Sequence, residues 1–204
     1  MMDRTFDFSG IRVPKLRKPQ ATIRPAESLA VCPFTIVADS REQLPYAFTG
    51  MLSKQNKPLA VRTVTKGLRS GDYSIDGLED RIAVERKSLD DLYGSVTWGR
   101  KRFEAEIERM DSLGISDAAA FFAVVIEATW PEIVNPAAYR PGWENRTDPR
   151  SVEGTIVAWS MRYKNVHWWP CGDRRGAECR TFAMLRRFWE NERQDAHGTE
   201  SRRQ

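Results

Sequence analysis

The chain has 204 residues, 32 Lys and Arg against 28 Asp and Glu, 41% hydrophobic and 10% aromatic content, which suits one globular domain and excludes fibrous, collagen-like and wholly disordered chains. Its longest apolar run, Ala118 to Ile126, is nine residues, against the roughly 20 that a membrane-spanning helix needs, so no membrane partner is expected. No basic-then-apolar leader follows Met1, and three irregularly spaced cysteines (Cys32, Cys171, Cys179) fit free thiols in a reducing compartment, the cytoplasm.

Residues 1–32 carry six basic side chains and three prolines without an apolar period, which reads as a basic flexible arm. The polar stretch 191–204 reads as a fraying tail, leaving one folded unit over 33–190. In that unit, Phe34 to Asp39 is β-branched and apolar and delivers Asp39 at the end of a strand. Val61 to Lys66 makes a second strand. Asp72 to Ile75 and Arg81 to Lys87, parted by the turn signal Asp76-Gly77, read as a hairpin. Phe103, Ile107 and Met110 stripe a helix between Gly99 and Leu113, and Ala119 to Ala128 reads as a strand. Val152, Ile156, Trp159 and Tyr163 stripe a later helix opened by Asp148-Pro149. Val166 to Pro170 is a last strand, and Phe182, Leu185 and Trp189 mark a last helix. Strands alternating with helices imply an α/β architecture, a sheet with helices on its faces.

The chemistry concentrates at Gly71-Asp72-Tyr73 and Glu85-Arg86-Lys87. Side chains alternate along a strand, so Glu85 and Lys87 share one face while Arg86 takes the other. A hairpin that returns Asp72 opposite Glu85 would aim two carboxylates at one hard cation, and an oxygen-only donor set suits Mg²⁺ or Mn²⁺ rather than zinc. Lys87 would then position water and offset charge on a phosphate. Together these parts would hydrolyse a phosphodiester. An isolated Glu-x-Lys pair is more often a solvated edge or a surface ion pair, so the spacing does not decide alone.

Three segments occur in order: Asp39-Ser40-Arg41-Glu42, Gly71-Asp72-Tyr73, and Val84-Glu85-Arg86-Lys87-Ser88-Leu89-Asp90-Asp91-Leu92. With the following Gly99-Arg100-Lys101-Arg102-Phe103-Glu104-x-Glu106, they resemble the nuclease domain of the XPF/Mus-type structure-specific endonucleases, whose signature is a GD, a gap, then ERK, three residues and D. The resemblance covers about Phe34 to Trp189. It implies a restriction-endonuclease-like fold of the PD-(D/E)XK class, a central mixed sheet flanked by helices, and divalent-metal-dependent cleavage of branched, flapped or junction-like DNA in repair or recombination. Carried over by residue, it implies Asp72 and Glu85 as metal ligands, Lys87 as the catalytic lysine and Asp39 as a further acid beside the metal. Arg41, Glu42, Arg86 and Asp91 match positions around the site, Arg41 as a DNA contact, Glu42 as an acid on a first helix and Arg86 and Asp91 as structural or phosphate-proximal support. A buried ion pair of Arg86 with Asp91 or Glu42 weighs evenly against a catalytic role.

The family also implies pairing through nuclease domains, hence a homodimer, for which the aromatic helices of Trp159, Tyr163 and Trp189 offer a face if they are not core. It usually carries a tandem helix-hairpin-helix module, which nothing after Trp189 resembles, so a stand-alone nuclease domain is expected. It further includes non-cutting subunits, so a catalytically silent DNA-binding partner is the alternative. Arg100, Lys101 and Arg102 would hold DNA phosphates unless they are only a wet helix face. Arg174, Arg175, Arg180, Arg186 and Arg187 would extend that footprint or simply be solvated. His167, Cys171 and Cys179 lack the paired spacings of a zinc site. No phosphate-loop motif occurs, so no nucleotide cofactor is expected.

Overall fold

Among the described residues, six strands form one sheet: β1 (Ala30–Asp39), β2 (Leu59–Lys66), β3 (Tyr73–Ile75), β4 (Ile82–Lys87), β5 (Phe121–Ile126) and β6 (Val166–Pro170), in the spatial order β2-β1-β3-β4-β5-β6. This computed structural model describes residues 29–117 and 119–201, with side chains as far as Gln194. The sheet is mixed because β3 runs antiparallel to both its neighbours, β1 and β4, while the β1–β2, β4–β5 and β5–β6 pairs are parallel. The unbroken apolar run of β5 reflects burial on both faces, the usual position of a parallel strand under helices.

Among the described residues, six helices cover the sheet: α1 (Leu89–Val96), α2 (Arg100–Ser116), α3 (Trp130–Val134), α4 (Pro136–Tyr139), α5 (Pro149–Arg162) and α6 (Arg174–Ser201). Leu92 of α1, Phe103 and Ile107 of α2, and Ile156 and Trp159 of α5 pack with Ala83, Phe122 and Val124 on one face. On the other, Ala177, Phe182 and Leu185 of α6, with Tyr46 and Phe48 of the loop after β1, pack with Ile36, Tyr73, Val84 and Val125. β4 therefore contributes Ala83 to one core and Ile82 and Val84 to the other. By the same alternation Glu85 and Lys87 face α1 and α2, and Arg86 faces α6.

The expected strands and the three long helices are present, with shifted ends. β1 starts at Ala30, inside the segment assigned to the arm, because Ala30 and Val31 pair with Leu59 and Ala60. The arm's basic residues lie outside the described residues. Helix α6 continues to Ser201, so the polar stretch after Asn191 extends an apolar-striped helix.

Three short helices were not anticipated. α3 spans 5 residues and α4 spans 4, too short for a repeating apolar period, whereas α1 spans 8 and buries Leu89, Leu92, Tyr93 and Val96 at i, i+3, i+4 and i+7. Local signals nonetheless open two of them: the Ser88 side chain accepts from the Asp91 amide, and Thr129 and Glu132 form a reciprocal capping box. Trp159 and Tyr163 are buried at 2% and 4% exposure, and Trp189 packs against the α6-side core. Trp159 and Tyr163 are internal core, and Trp189 is partly buried at the edge of it.

Candidate active site

The sheet register assembles the acidic site. Ala38 pairs with Tyr73 and Tyr73 with Val84, so one step along the three strands brings Asp39, Asp72 and Glu85 into a row. The backbone continues the ladder there: the Asp39 amide donates to the Asp72 carbonyl at 2.8 Å and the Asp72 amide to the Val84 carbonyl at 2.9 Å. Asp72 thus stands opposite Glu85, as the hairpin reading required.

Gly71 sets the approach. Its φ is +73°, and a Cβ there would lie 3.0 Å from the Ala83 Cβ and 3.2 Å from the Val84 carbonyl. Gly71→Ala is therefore expected to cost about 1–3 kcal/mol through the left-handed backbone and the clash. Urea denaturation of the variant beside wild type would read that cost.

Charge in the site is out of balance in a specific way. The Glu85 carboxyl is buried at 4% exposure, and its Oε1 accepts from Lys87 Nζ at 2.6 Å. Burial pushes the Glu85 carboxyl well above the ordinary range, Asp72 adds to the rise, and Lys87 opposes it. Burial likewise lifts Asp72 to about 6, against the restraint of the Arg86 amide and Lys87, with Glu42 and Glu106 pushing further upward. Lys87 loses hydration too, yet Glu85, Asp72 and Glu106 hold its pKa above the usual value. Its ammonium also sits 4.5 Å from the Phe103 ring centroid, a cation–π contact that fixes its direction. Two carboxylates share one ammonium, and the surplus negative charge is what a cation would relieve.

Asp39 occupies the end of the row with its carboxylate already engaged. Its Oδ2 accepts from Arg41 Nε at 2.7 Å, and its Oδ1 from the Leu68 amide at 3.2 Å. Arg41 in turn donates to the Leu68 carbonyl at 2.8 Å, tying the turn after β1 to the loop before β3. Arg41 is thus a clamp on Asp39 as well as an exposed cation.

An acid not singled out from the sequence enters from α2. Glu106 Oε1 accepts from the Gly71 amide at 3.2 Å, and its charge bears on Asp72, Glu85 and Lys87 alike. It lies in the Gly99–Glu106 segment, but its role depends on how α2 crosses the sheet. Among the described residues no three His, Cys, Asp or Glu side chains form a closed cation cage. Two carboxylates with open positions suit Mg²⁺, which keeps waters and takes substrate phosphate oxygens.

Arg86 points to the opposite layer. Its Nε donates to Glu127 Oε1 at 2.7 Å and its second terminal nitrogen to Glu127 Oε2 at 3.1 Å, a bidentate pair, while Glu42 lies at 3.4 Å. Burial works against the guanidinium charge, but Glu127 and Glu42 outweigh it and raise its pKa. Glu127, just beyond β5, also accepts from Tyr46 at 3.1 Å and Arg174 at 3.2 Å. Of the two partners expected for Arg86, Glu42 is present and Asp91 is not. Asp91 is exposed and accepts from the Ser88 hydroxyl at 2.7 Å at the start of α1. Glu42 sits in a turn rather than on a helix, where its Oε1 accepts from the Leu44 amide at 2.7 Å.

The basic residues also divide. Arg100 donates to Thr155 Oγ1 at 2.7 Å and lies 4.9 Å from the Trp159 ring centroid, so it joins α2 to α5. Lys101 and Arg102 are exposed. On α6, Arg174 and Arg175 are committed to Glu127 and Glu178, Arg187 to Glu190, and Arg180 and Arg186 lie over Trp169 and Phe182. All but Arg186 remain exposed, so these are surface contacts.

A family model described as the ERCC4 domain matches residues 38–176, well over half of the chain. The chain belongs to the ERCC4 domain family. The matched span takes in Asp39, Asp72, Glu85, Lys87, Glu106 and Glu127. Two solved structures are similar to this ERCC4 domain. XPF from Aeropyrum pernix matches at 21% identity and a TM-score of 0.51, over 74% of this chain and 63% of that one. XPF from Aeropyrum pernix in complex with DNA matches at 20% identity and 0.50, over 78% and 66%. This chain thus spans a little under two thirds of each. At that identity they establish the fold, the restriction-endonuclease-like mixed sheet. A comparison with curated proteins gives no match.

Proposed function

We propose that this ERCC4 domain is a divalent-metal-dependent DNA endonuclease that hydrolyses phosphodiester bonds, acting on flapped, branched or junction-like DNA in repair or recombination. The observation that carries this reading is Asp72 opposite Glu85, with Lys87 Nζ 2.6 Å from Glu85. Asp72 and Glu85 would hold Mg²⁺ or Mn²⁺, and Glu106 lies close enough to shape the same field. Such an ion, when bound, makes coordinated water more acidic and offsets charge on the phosphate.

Lys87 remains an ammonium, so it does not act as a base. Held between Glu85 and Phe103, it donates to the attacking water or to a non-bridging phosphate oxygen and favours the more negative transition state. Arg41 and the Leu68 amide hold Asp39 to one side, which keeps its negative charge in the row without leaving it mobile. The silent-partner alternative has to explain why buried like charges are kept at a standing cost to stability. Cleavage gives that cost a purpose.

The test is nicking of labelled flap and plain duplex DNA with Mg²⁺, Mn²⁺ or EDTA. Cutting is expected with either metal and none with EDTA, and Lys87→Met should lower the rate about 10²- to 10³-fold, the usual loss for one aimed donor, while DNA binding persists. Equal rates for wild type and Lys87→Met would sink the assignment, and binding without cutting would select the silent partner.

A further inference from the structure

We propose that Trp98 is a stacking post for an unpaired DNA base beside the cleaved linkage, so that this domain takes DNA with single-stranded character rather than uniform duplex. The proposal rests on the nuclease reading for its location and on four independent features of Trp98 for its content.

The first feature is exposure. Trp98 is 87% exposed, whereas Trp130 and Trp169 are 37% exposed and Trp159 is 2%. A single exposed apolar side chain is ordinary, so exposure alone decides nothing.

The second is rigidity. Trp98 lies on the short corner between α1 and α2, where Thr97 Oγ1 donates to the Tyr93 carbonyl at 2.7 Å and the Gly99 amide to the Gly94 carbonyl at 2.9 Å. Arg100, pinned to Thr155, anchors the other side. The indole itself leans over Gly94, where a Cβ would come within 2.9 Å of the ring. A ring carried on a backbone corner held this firmly has less conformational freedom to lose on binding.

The third is charge. Lys101 and Arg102 follow on the exposed first turn of α2, so the aromatic face is bordered by phosphate-seeking cations. Aromatic rings interleaved with basic side chains are how single strands are gripped without sequence readout.

The fourth is position. α1 begins directly after Lys87 and Ser88, and α2 carries Phe103, 4.5 Å from Lys87 Nζ. Arg100 and Phe103 are three residues apart, about 4.5 Å along a helix axis. The corner that carries Trp98 therefore joins the two helices that border Lys87, on the same side of the sheet as the acidic row. No metal-holding or proton-transfer role is left for an indole here, but a base-holding role is.

Binding is measured in EDTA, so that cutting does not intervene, with a single-stranded oligonucleotide carrying 2-aminopurine and with plain duplex of the same length. Wild type should quench the 2-aminopurine, and Trp98→Ala should abolish that quenching and weaken single-strand binding about ten-fold, the scale of one lost base stack, with a smaller change on duplex. Trp98→Phe should restore most of the affinity. Equal losses on both DNAs, or no loss on either, would overturn the proposal. So would a Trp98-dependent dimer in sedimentation, which would mean that a second copy of the chain covers the ring. Failure of the nuclease reading appears separately, as the absence of metal-dependent nicking by wild type.

Discussion

Asp72→Asn should abolish DNA cleavage and, in EDTA, raise the melting temperature. Loss of activity follows if Asp72 is one of two carboxylates that hold the ion, and a fall of about 10³-fold is the expected scale for a central electrostatic element. The gain in stability follows from the same burial. Asp72 is lifted from 3.8 to about 6, chiefly by desolvation, and each pKa unit corresponds to about 1.4 kcal/mol. The charged carboxylate therefore costs the fold up to about 3 kcal/mol at neutral pH. The amide removes that cost and can still accept from the Arg86 amide, which reaches Asp72 Oδ2 at 2.7 Å. For a chain of this size the gain is up to roughly 6–12 °C.

The sign of the pH dependence follows directly. A carboxyl with a folded pKa above its unfolded value binds more protons when folded, so its contribution is fully present below about 4 and is lost as pH rises through about 6. Wild type in EDTA should lose stability across that window, and Asp72→Asn should show a flatter profile. Added Mn²⁺ should stabilise wild type by mass action and leave the variant unmoved. Calorimetry at several pH values, with and without Mn²⁺, reads all three. A variant no more stable than wild type at pH 7 would refute the burial argument.

Arg86→Ala should be among the most destabilising single changes in the chain, about 3–5 kcal/mol. The side chains of Arg86 and Glu127 are 11% and 10% exposed, and that of Glu42 is 8% exposed. Deleting the guanidinium leaves two nearly buried carboxylates without their main counter-charge, and the bidentate bond to Glu127 is lost with it. Glu127 would keep Arg174 at 3.2 Å, but Arg174 is more exposed. Because Arg86 faces α6 while Glu85 and Lys87 face α2, the first consequence is loosening of the second core. Any loss of cleavage should track the loss of fold. Urea denaturation beside nicking assays at permissive temperature separates the two: activity recovered on cooling marks Arg86 as a positioning residue. Glu127→Gln should cost less, since the amide oxygen still accepts from Arg86. The double variant should be less destabilised than the summed single changes.

Much of the site can be read before folding because strands impose strict alternation. Glu85 and Lys87 on one face and Arg86 on the other follow from period two, and β4 obeys it. Asp72 opposite Glu85 follows from a hairpin of that length. The helix stripes of Phe103, Ile107 and Met110 and of Val152, Ile156 and Trp159 are equally local, because a sustained 3.6-residue period admits few other readings. Short helices such as α3 and α4 carry too few turns for such a period, and only a capping box announces α3; α1 carries both a cap and the stripe Leu89, Leu92, Tyr93 and Val96.

Partners across long sequence gaps behave differently. Glu127 stands 41 residues from Arg86, Glu106 stands 35 from Gly71, and Arg100 meets Thr155 across 55. No periodicity connects such residues; each pair exists because packing two helical layers on a sheet sets the distance. Asp91 and Glu127 are both acids downstream of Arg86, and only the parallel pairing of β5 with β4 selects the second. The amino-acid order therefore determined the strand faces, the opposed acids and the lysine on the same face as Glu85, since these depend on local geometry. Tertiary structure decided which buried charges are paired, which basic residues remain exposed, and that Trp98 stands in solvent while Trp159 does not, because burial depends on what the rest of the chain brings near.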